Sequence, residues 1–192
     1  METKNIMIVG VGGQGTLLAS KLLGHVLLKQ GADVKVSEVH GMSQRGGSVV
    51  TYVRYGDKVY SPVIDRGEAD IILAFELLEA ARWLPYLKKG GQMIVNTQRM
   101  EPMPVITEAS VYPEDLVDKM RAAGAKVDAD DFLAIAEKAG GAKAVNIALI
   151  GRLSNYFEDI PGELWIEAIK DNVPAKFLDM NLEAFKSGAV CA

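Results

Sequence analysis

The chain is poor in the residues that build redox and metal centres. Its 192 residues include one cysteine, Cys191, and two histidines, His25 and His40. An intramolecular disulfide is excluded, and so is a four-cysteine zinc or iron–sulfur site within this chain. A reducing, cytoplasmic compartment is the simplest expectation for such a sequence. Long apolar runs are missing too: none approaches the ~20 residues of a membrane span. The early run from Ile6 to Val11 is short and enters a glycine-rich turn, so it is not read as a secretory leader. Basic residues are not in excess, with 25 acids against 21 bases and a net charge of -4. The chain as a whole is therefore not a polyanion binder, although a local basic loop fits, and neither nucleic acid nor membrane is expected as a partner.

What is present belongs to a globular protein. Hydrophobic residues make up 49% and charged residues 24%, a balance that excludes a disordered or fibrous chain. At roughly 150 residues per domain, the length predicts a single domain over residues 1–192. Asn5 to Gly10 reads as a strand buried on both faces, and Gly12 to Gly15 as a tight turn. A helix to about Lys29 follows, with Leu18, Leu22 and Val26 recurring along one face and Gly31 ending it. Val34 to Val39 is the next strand, and the strand–helix–strand order predicts a parallel pair with a right-handed crossover. Ser48–Arg54 and Lys58–Tyr60 around Gly56-Asp57 predict a hairpin, hence a mixed sheet.

Asp70 to Phe75 is a further buried strand, followed by a helix from Glu76 that Pro85 bends or ends. Gln92 to Asn96 is the next strand, and Val105-Ile106 reads as a short one. A helix from Pro113 to Gly124 leads to a last strand at Lys126-Val127, and Asp130 or Asp131 caps a helix to Lys138. Three more helices are expected: Lys143 to Tyr156, Pro161 to Lys170, and Ala175 to Lys186, the last closed by Gly188. The fold class is α/β: a three-layer α/β/α, Rossmann-like domain with a mixed, mainly parallel sheet.

Gly10-Val-Gly12-Gly13-Gln14-Gly15 fits G-x-G-x-x-G between a strand and a helix. Glycines let the backbone turn tightly and approach a ligand, while the free N–H groups of the first helical turn favour an anion. A phosphate, pyrophosphate or carboxylate near Gly12 to Thr16 is one reading; close strand–helix packing or a subunit contact is the other. NAD is poorly supported. Glu38, the acid that would hold a ribose, comes 23 residues after Gly15 and is followed by an atypical loop.

That loop, His40 to Gly47, follows a parallel strand at the edge where open α/β sheets hold ligands. Arg45 can pair with a phosphate or carboxylate through two bonds, and Ser43 and Gln44 add neutral ones; a solvated surface loop is the simpler alternative. Glu76 and Glu79 fit an acid–base pair less well than charges at a helix start. Asn96 fits a cap better than a ligand contact. Asn146 and Asn181 are expected to bond between helices, and His25 to be structural. Met42, Met93, Met100 and Met103 fit packing rather than metal. No serine elbow, P-loop or metal-ligand spacing is present.

Taken together, the glycine turn, Glu38-Val-His-Gly-Met-Ser-Gln-Arg-Gly-Gly47, Ser61-Pro-Val-Ile64, Gly67-Glu-Ala-Asp70 and Ala144-Val-Asn-Ile-Ala-Leu-Ile-Gly151 carry a resemblance over nearly the whole chain. The sequence resembles the gamma-type domain of 2-oxoacid:ferredoxin oxidoreductases, and within them the small, or beta, subunits that serve indolepyruvate. Leu77 stands where relatives often carry proline. The resemblance implies an enzyme that decarboxylates an aryl 2-oxo acid, transfers the acyl group to coenzyme A and passes two electrons to ferredoxin. Thiamine diphosphate and iron–sulfur clusters are then expected on a large alpha subunit, since this chain has neither a thiamine motif nor cluster cysteines. The isolated chain is expected to be inactive. Gly10, Gly12, Gly13, Gln14, Gly15, Ser43, Gln44 and Arg45 would face coenzyme A phosphates or a substrate carboxylate, or simply dock the partner. The gamma subunit of a pyruvate or other 2-oxoacid enzyme is the alternative within the family. Outside it stand a free NAD(P)- or nucleotide-binding Rossmann oxidoreductase and a non-catalytic nucleotide sensor.

Overall fold

A computed structural model describes residues 1–39 and 47–190. The first strand, β1 (Lys4–Val11), turns through the glycines into helix α1 (Thr16–Lys29), and β2 (Asp33–Val39) follows. Helix α1 ends as expected. Gly31 takes φ 81°, its N–H donates to Leu28 O at 2.9 Å, and Ala32 N–H reaches back to Leu27 O at 3.2 Å, the paired bonds of a glycine-terminated helix.

Sheet order departs from expectation. The next strand, β3 (Ser48–Gly56), lies between β1 and β2 and runs antiparallel to both. The first two strands are therefore parallel in direction but not neighbours. The predicted hairpin between Ser48–Arg54 and Lys58–Tyr60 does not form. Both edges of β3 are already paired, and Val49, Val50, Thr51 and Val53 are buried, as befits an interior strand. The segment after it instead runs off the sheet, with Val59 N–H donating to the Asp33 carboxylate at 2.9 Å.

Beyond β1 the sheet is parallel. It continues through β4 (Ala69–Ala74), β5 (Leu87–Asn96) and β6 (Lys126–Asp130), giving the order β2-β3-β1-β4-β5-β6. Helix α2 (Leu77–Trp83) follows β4, and a 3₁₀ turn at Leu84–Tyr86 closes it where Pro85 stands. Residues 105–106 are not a strand. They finish a one-turn helix, α3 (Met103–Ile106), because Pro104 in its first turn holds a helical φ and lacks an N–H for pairing. Helices α4 (Leu116–Ala122), α5 (Phe132–Lys138), α6 (Val145–Ser154), α7 (Gly162–Asn172) and α8 (Leu178–Ala189) complete the chain.

Two apolar cores sit on opposite faces of the sheet, which makes the molecule three-layered. Ile6, Ile8 and Leu73 face α1, α6, α7 and α8; Met7, Val9 and Ile72 face α2 and α4. Gly188 does not close the last helix but lies within it. A Cβ there would meet Ala148 O at 2.0 Å, and one at Gly151 would meet Phe185 O at 2.1 Å. These two glycines let α6 and α8 approach closely. Asn181 bonds within its own helix, donating to Phe177 O at 2.7 Å, rather than between helices.

Candidate functional site

Strands β1, β4, β5 and β6 all end at one edge of the sheet, and the glycine turn leaves β1 there. Gly13 and Gly15 take φ of 96° and 86°, conformations that L side chains disfavour. Gly10 has a different role: a Cβ would meet Gln14 Oε1 at 2.8 Å and Phe75 Cβ at 2.9 Å, so this glycine permits close packing. Gln14 is engaged at both ends of its amide. Its Oε1 accepts from Val11 N–H at 2.8 Å and its Nε2 donates to Phe75 O at 3.0 Å. The side chain thus fastens the turn to the end of β4.

Backbone donors divide likewise. Gly12 N–H donates to Gly47 O at 3.0 Å, and Gln14 N–H closes the turn onto Val11 O at 3.2 Å. The first-turn N–H groups of α1, from Thr16 on, have no intrahelical acceptor and point out of the helix start. Gly12, Gly13 and Gly15 line a cleft of about 480 Å³. Gln98 and Met100, just past β5, form another wall, with Leu133 of α5. Lys143 and Asn146 enter from the start of α6. Asn146 is buried against the turn; its Nδ2 lies 3.4 Å from Gly15 O, and a Cβ on Gly15 would meet that nitrogen at 2.6 Å. Lys143 is exposed and has no acidic partner among the described residues. The cleft therefore combines one unpaired cation with a helix N-terminus, chemistry suited to an anion.

Other residues singled out in the sequence turn out to support this edge. Asn96 is fully buried, donates to Phe75 O at 3.1 Å and accepts from Phe132 N–H at 3.1 Å, so it joins β4, β5 and the start of α5. Glu76 caps α2 through Glu79 N–H at 2.8 Å and also accepts from Met100 N–H at 3.0 Å and Tyr112 O–H at 2.6 Å. Burial, and then that bond, pushes the Tyr112 hydroxyl well above the usual phenol range. Glu79 accepts from Ser48 O–H, from Arg82 Nε at 3.0 Å and from Trp83 Nε1 at 3.3 Å. Both carboxylates hold elements together, which leaves no acid–base pair. His25 meets Asn172 of α7 through Nδ1 at 3.2 Å, the structural role expected.

Glu38 lies near Ser20 Oγ and Thr51 Oγ1, at 3.4 and 3.5 Å. With β3 inserted, it stands two strand spacings, about 10 Å, from β1. The ribose-binding arrangement of neighbouring first and second strands is not built here. Ser43, Gln44, Arg45 and His40 lie outside the described residues. Lys143 and Gln98 were not singled out from the sequence, and no spacing in the chain links them to the glycines.

Fold and cleft define a three-layer α/β protein with an anion-receptive cleft at the carboxyl ends of its parallel strands. A family model described as pyruvate ferredoxin/flavodoxin oxidoreductase matches residues 5–191, and the chain belongs to that family. A particular likeness follows: indolepyruvate oxidoreductase subunit IorB of Thermococcus kodakarensis is 43% identical over 202 residues, covering 100% of this chain and 97% of that protein. Among solved structures, pyruvate oxidoreductase subunit PORC of Thermotoga maritima has a TM-score of 0.75 at 22% identity, covering 98% of this chain and 96% of that one. The 2-oxoglutarate:ferredoxin oxidoreductase of Magnetococcus marinus, solved with 2-oxoglutarate, coenzyme A and succinyl-CoA, also scores 0.75 at 19% identity; the match takes in 98% of this chain but 31% of that one. The same fold is thus one part of a longer polypeptide there.

Proposed function

We propose that this chain is the small subunit of an indolepyruvate:ferredoxin oxidoreductase and that its glycine-turn cleft receives an anionic group of a ligand shared with a large subunit. The observation that carries the reading is end-to-end similarity to a subunit named for that substrate. An iron–sulfur cluster does not fit this chain, because one cysteine cannot supply its ligands; clusters and thiamine diphosphate both belong to the large subunit in this reading.

The lining of the cleft suits one phosphate of coenzyme A. Lys143 and the open N–H groups of α1 would hold a phosphate, and Asn146 and Gln98 would line its path. When bound, coenzyme A supplies the thiol that accepts the acyl group; these residues only bind and orient it. Ser43, Gln44 and Arg45 are assigned to the same ligand or to the subunit contact. No helix of the described residues is long and apolar enough to cross a membrane. In this reading the complex works in the cytoplasm and hands electrons to ferredoxin.

Co-expression with the large subunit tests this. The complex is expected to reduce ferredoxin with indolepyruvate and coenzyme A, and the isolated chain to turn over neither. Robust 2-oxo acid oxidation by the isolated chain, or a complex active only on pyruvate, would refute it.

A further inference from the structure

A second hollow, larger than the glycine-turn cleft, is a groove of about 780 Å³ between α1 and the edge strand β2, open along its length. Leu17 and Leu28 stand at its two ends and Val36 forms its floor, close to Gly24, where a Cβ would lie 4.0 Å from the valine methyl. These three apolar residues are 52%, 61% and 44% exposed. Lys21 lies on the rim between them, exposed and without an acidic partner among the described residues.

Both outer strands carry charge at alternate positions, and on β2 Lys35 pairs with Asp33; the two edges differ in what covers their backbone. At the far edge, β6 carries Lys126, Asp128 and Asp130 at alternate positions. Arg152, itself buried, binds both aspartates at 2.6 and 2.8 Å, and Arg121 donates to Val127 O at 3.3 Å. Charge and covering side chains of this kind keep an edge strand from pairing. At the near edge, no side chain or loop among the described residues is hydrogen-bonded to the backbone of Val34 to Ser37 beyond the bonds to β3. There an open strand edge adjoins an apolar groove. From Leu17 to Leu28 the helix rises about 16 Å, the span of about five extended residues.

We propose that this groove and the β2 edge form a docking site for an extended segment of the large subunit, which adds a strand to the sheet. Main-chain bonds to β2 supply the affinity, apolar side chains at alternate positions fill the space between Leu17, Leu28 and Val36, and an acidic side chain meets Lys21. The inference rests on the reading that the chain works beside a large subunit, and its test separates the two.

The complex is purified through a tag on the large subunit, and association is measured for wild type and variants. Failure of the wild-type chain to associate overturns the functional reading and this inference with it. Given association, Val36→Lys and Leu28→Glu are expected to raise Kd about tenfold or more, a loss of about 1.4 kcal/mol. Lys21→Glu is expected to raise it less and to remove part of its salt dependence, while Lys126→Glu on the far edge leaves it unchanged. All four changes lie at exposed positions, and circular dichroism checks their folding. Amide exchange over residues 33–39 is expected to slow about tenfold on assembly. Wild-type affinity in both groove variants, with no slowing over those residues, overturns the inference. So does slowing already present in the isolated chain that grows with its concentration, which would place a second copy in the groove.

Discussion

Gly15 and Lys143 meet at one cleft from opposite ends of the chain, and they show how differently two residues can be read. Gly15 was legible, because a strand running into glycines and then an apolar-faced helix requires a residue that tolerates positive φ. Lys143 was not: nothing in its surroundings distinguishes it from a solvated lysine before an apolar helix. Only the packing of α6 against the turn, through Asn146, gives it a place. Replacing it tests that place. In the assembled enzyme, Lys143→Ala is expected to raise KM for coenzyme A about tenfold with kcat little changed, the signature of lost ground-state binding, and Lys143→Arg to restore most of it. Steady-state kinetics at fixed indolepyruvate reads both. Gln14 is the converse case. Its polar amide beside a glycine turn resembles a ligand contact, yet both of its ends bind backbone, and residue type alone does not tell a ligand's hydrogen bond from a loop's.

Among the described elements, α6 and α8 approach closely enough to require glycine. Gly188 faces the carbonyl of Ala148, and Gly151 that of Phe185, at distances where no side-chain carbon fits. Gly188→Val is expected to lower stability by about 1–3 kcal/mol or more through overpacking. Gly162→Ala, where nothing stands within 4 Å of the added carbon, is expected to be close to neutral. Thermal denaturation of both variants makes the comparison. Helix existence was readable from apolar periodicity, and most boundaries fell within a turn. The role of Gly188 was not, because a glycine near a helix end and a glycine at a helix crossing look the same in one dimension. The order of the strands was hidden for a related reason. Most were recognisable from apolar and β-branched runs, but whether β3 pairs forward with its successor or backward with β1 and β2 depends on contacts between distant segments.

At the scale of the whole molecule, several tyrosines are kept protonated by the fold. Burial, with Asp70 and Asp159 nearby, pushes the Tyr55 hydroxyl up to about 12, and Tyr112 is raised as well. Above pH 10 the unfolded chain loses these protons while the folded one keeps them, so the unfolded state binds fewer protons and stability falls as pH rises. Full stability from this source is therefore present below pH 10 and is lost progressively toward pH 12. Denaturant titrations between pH 9 and 12 are expected to show a falling midpoint, and Tyr55→Phe a shallower fall, since Tyr112 still contributes. The layered architecture and the mixed sheet were legible, because alternating strands and helices with one extra antiparallel piece admit few arrangements. The separation of one guarded and one open sheet edge was not, since it depends on which strands end up outermost.

The insertion of β3 between β1 and β2 also has a mechanical consequence. The first two strands grip opposite sides of the third, so the release of either one does not free the chain up to Val39 from the sheet. Freeing β1 leaves β2 zipped to β3, and freeing β2 leaves β1. The beginning of the polypeptide is a clasp closed around its own middle, and a cut in the covalent link between Val39 and Gly47 would not by itself part the two pieces.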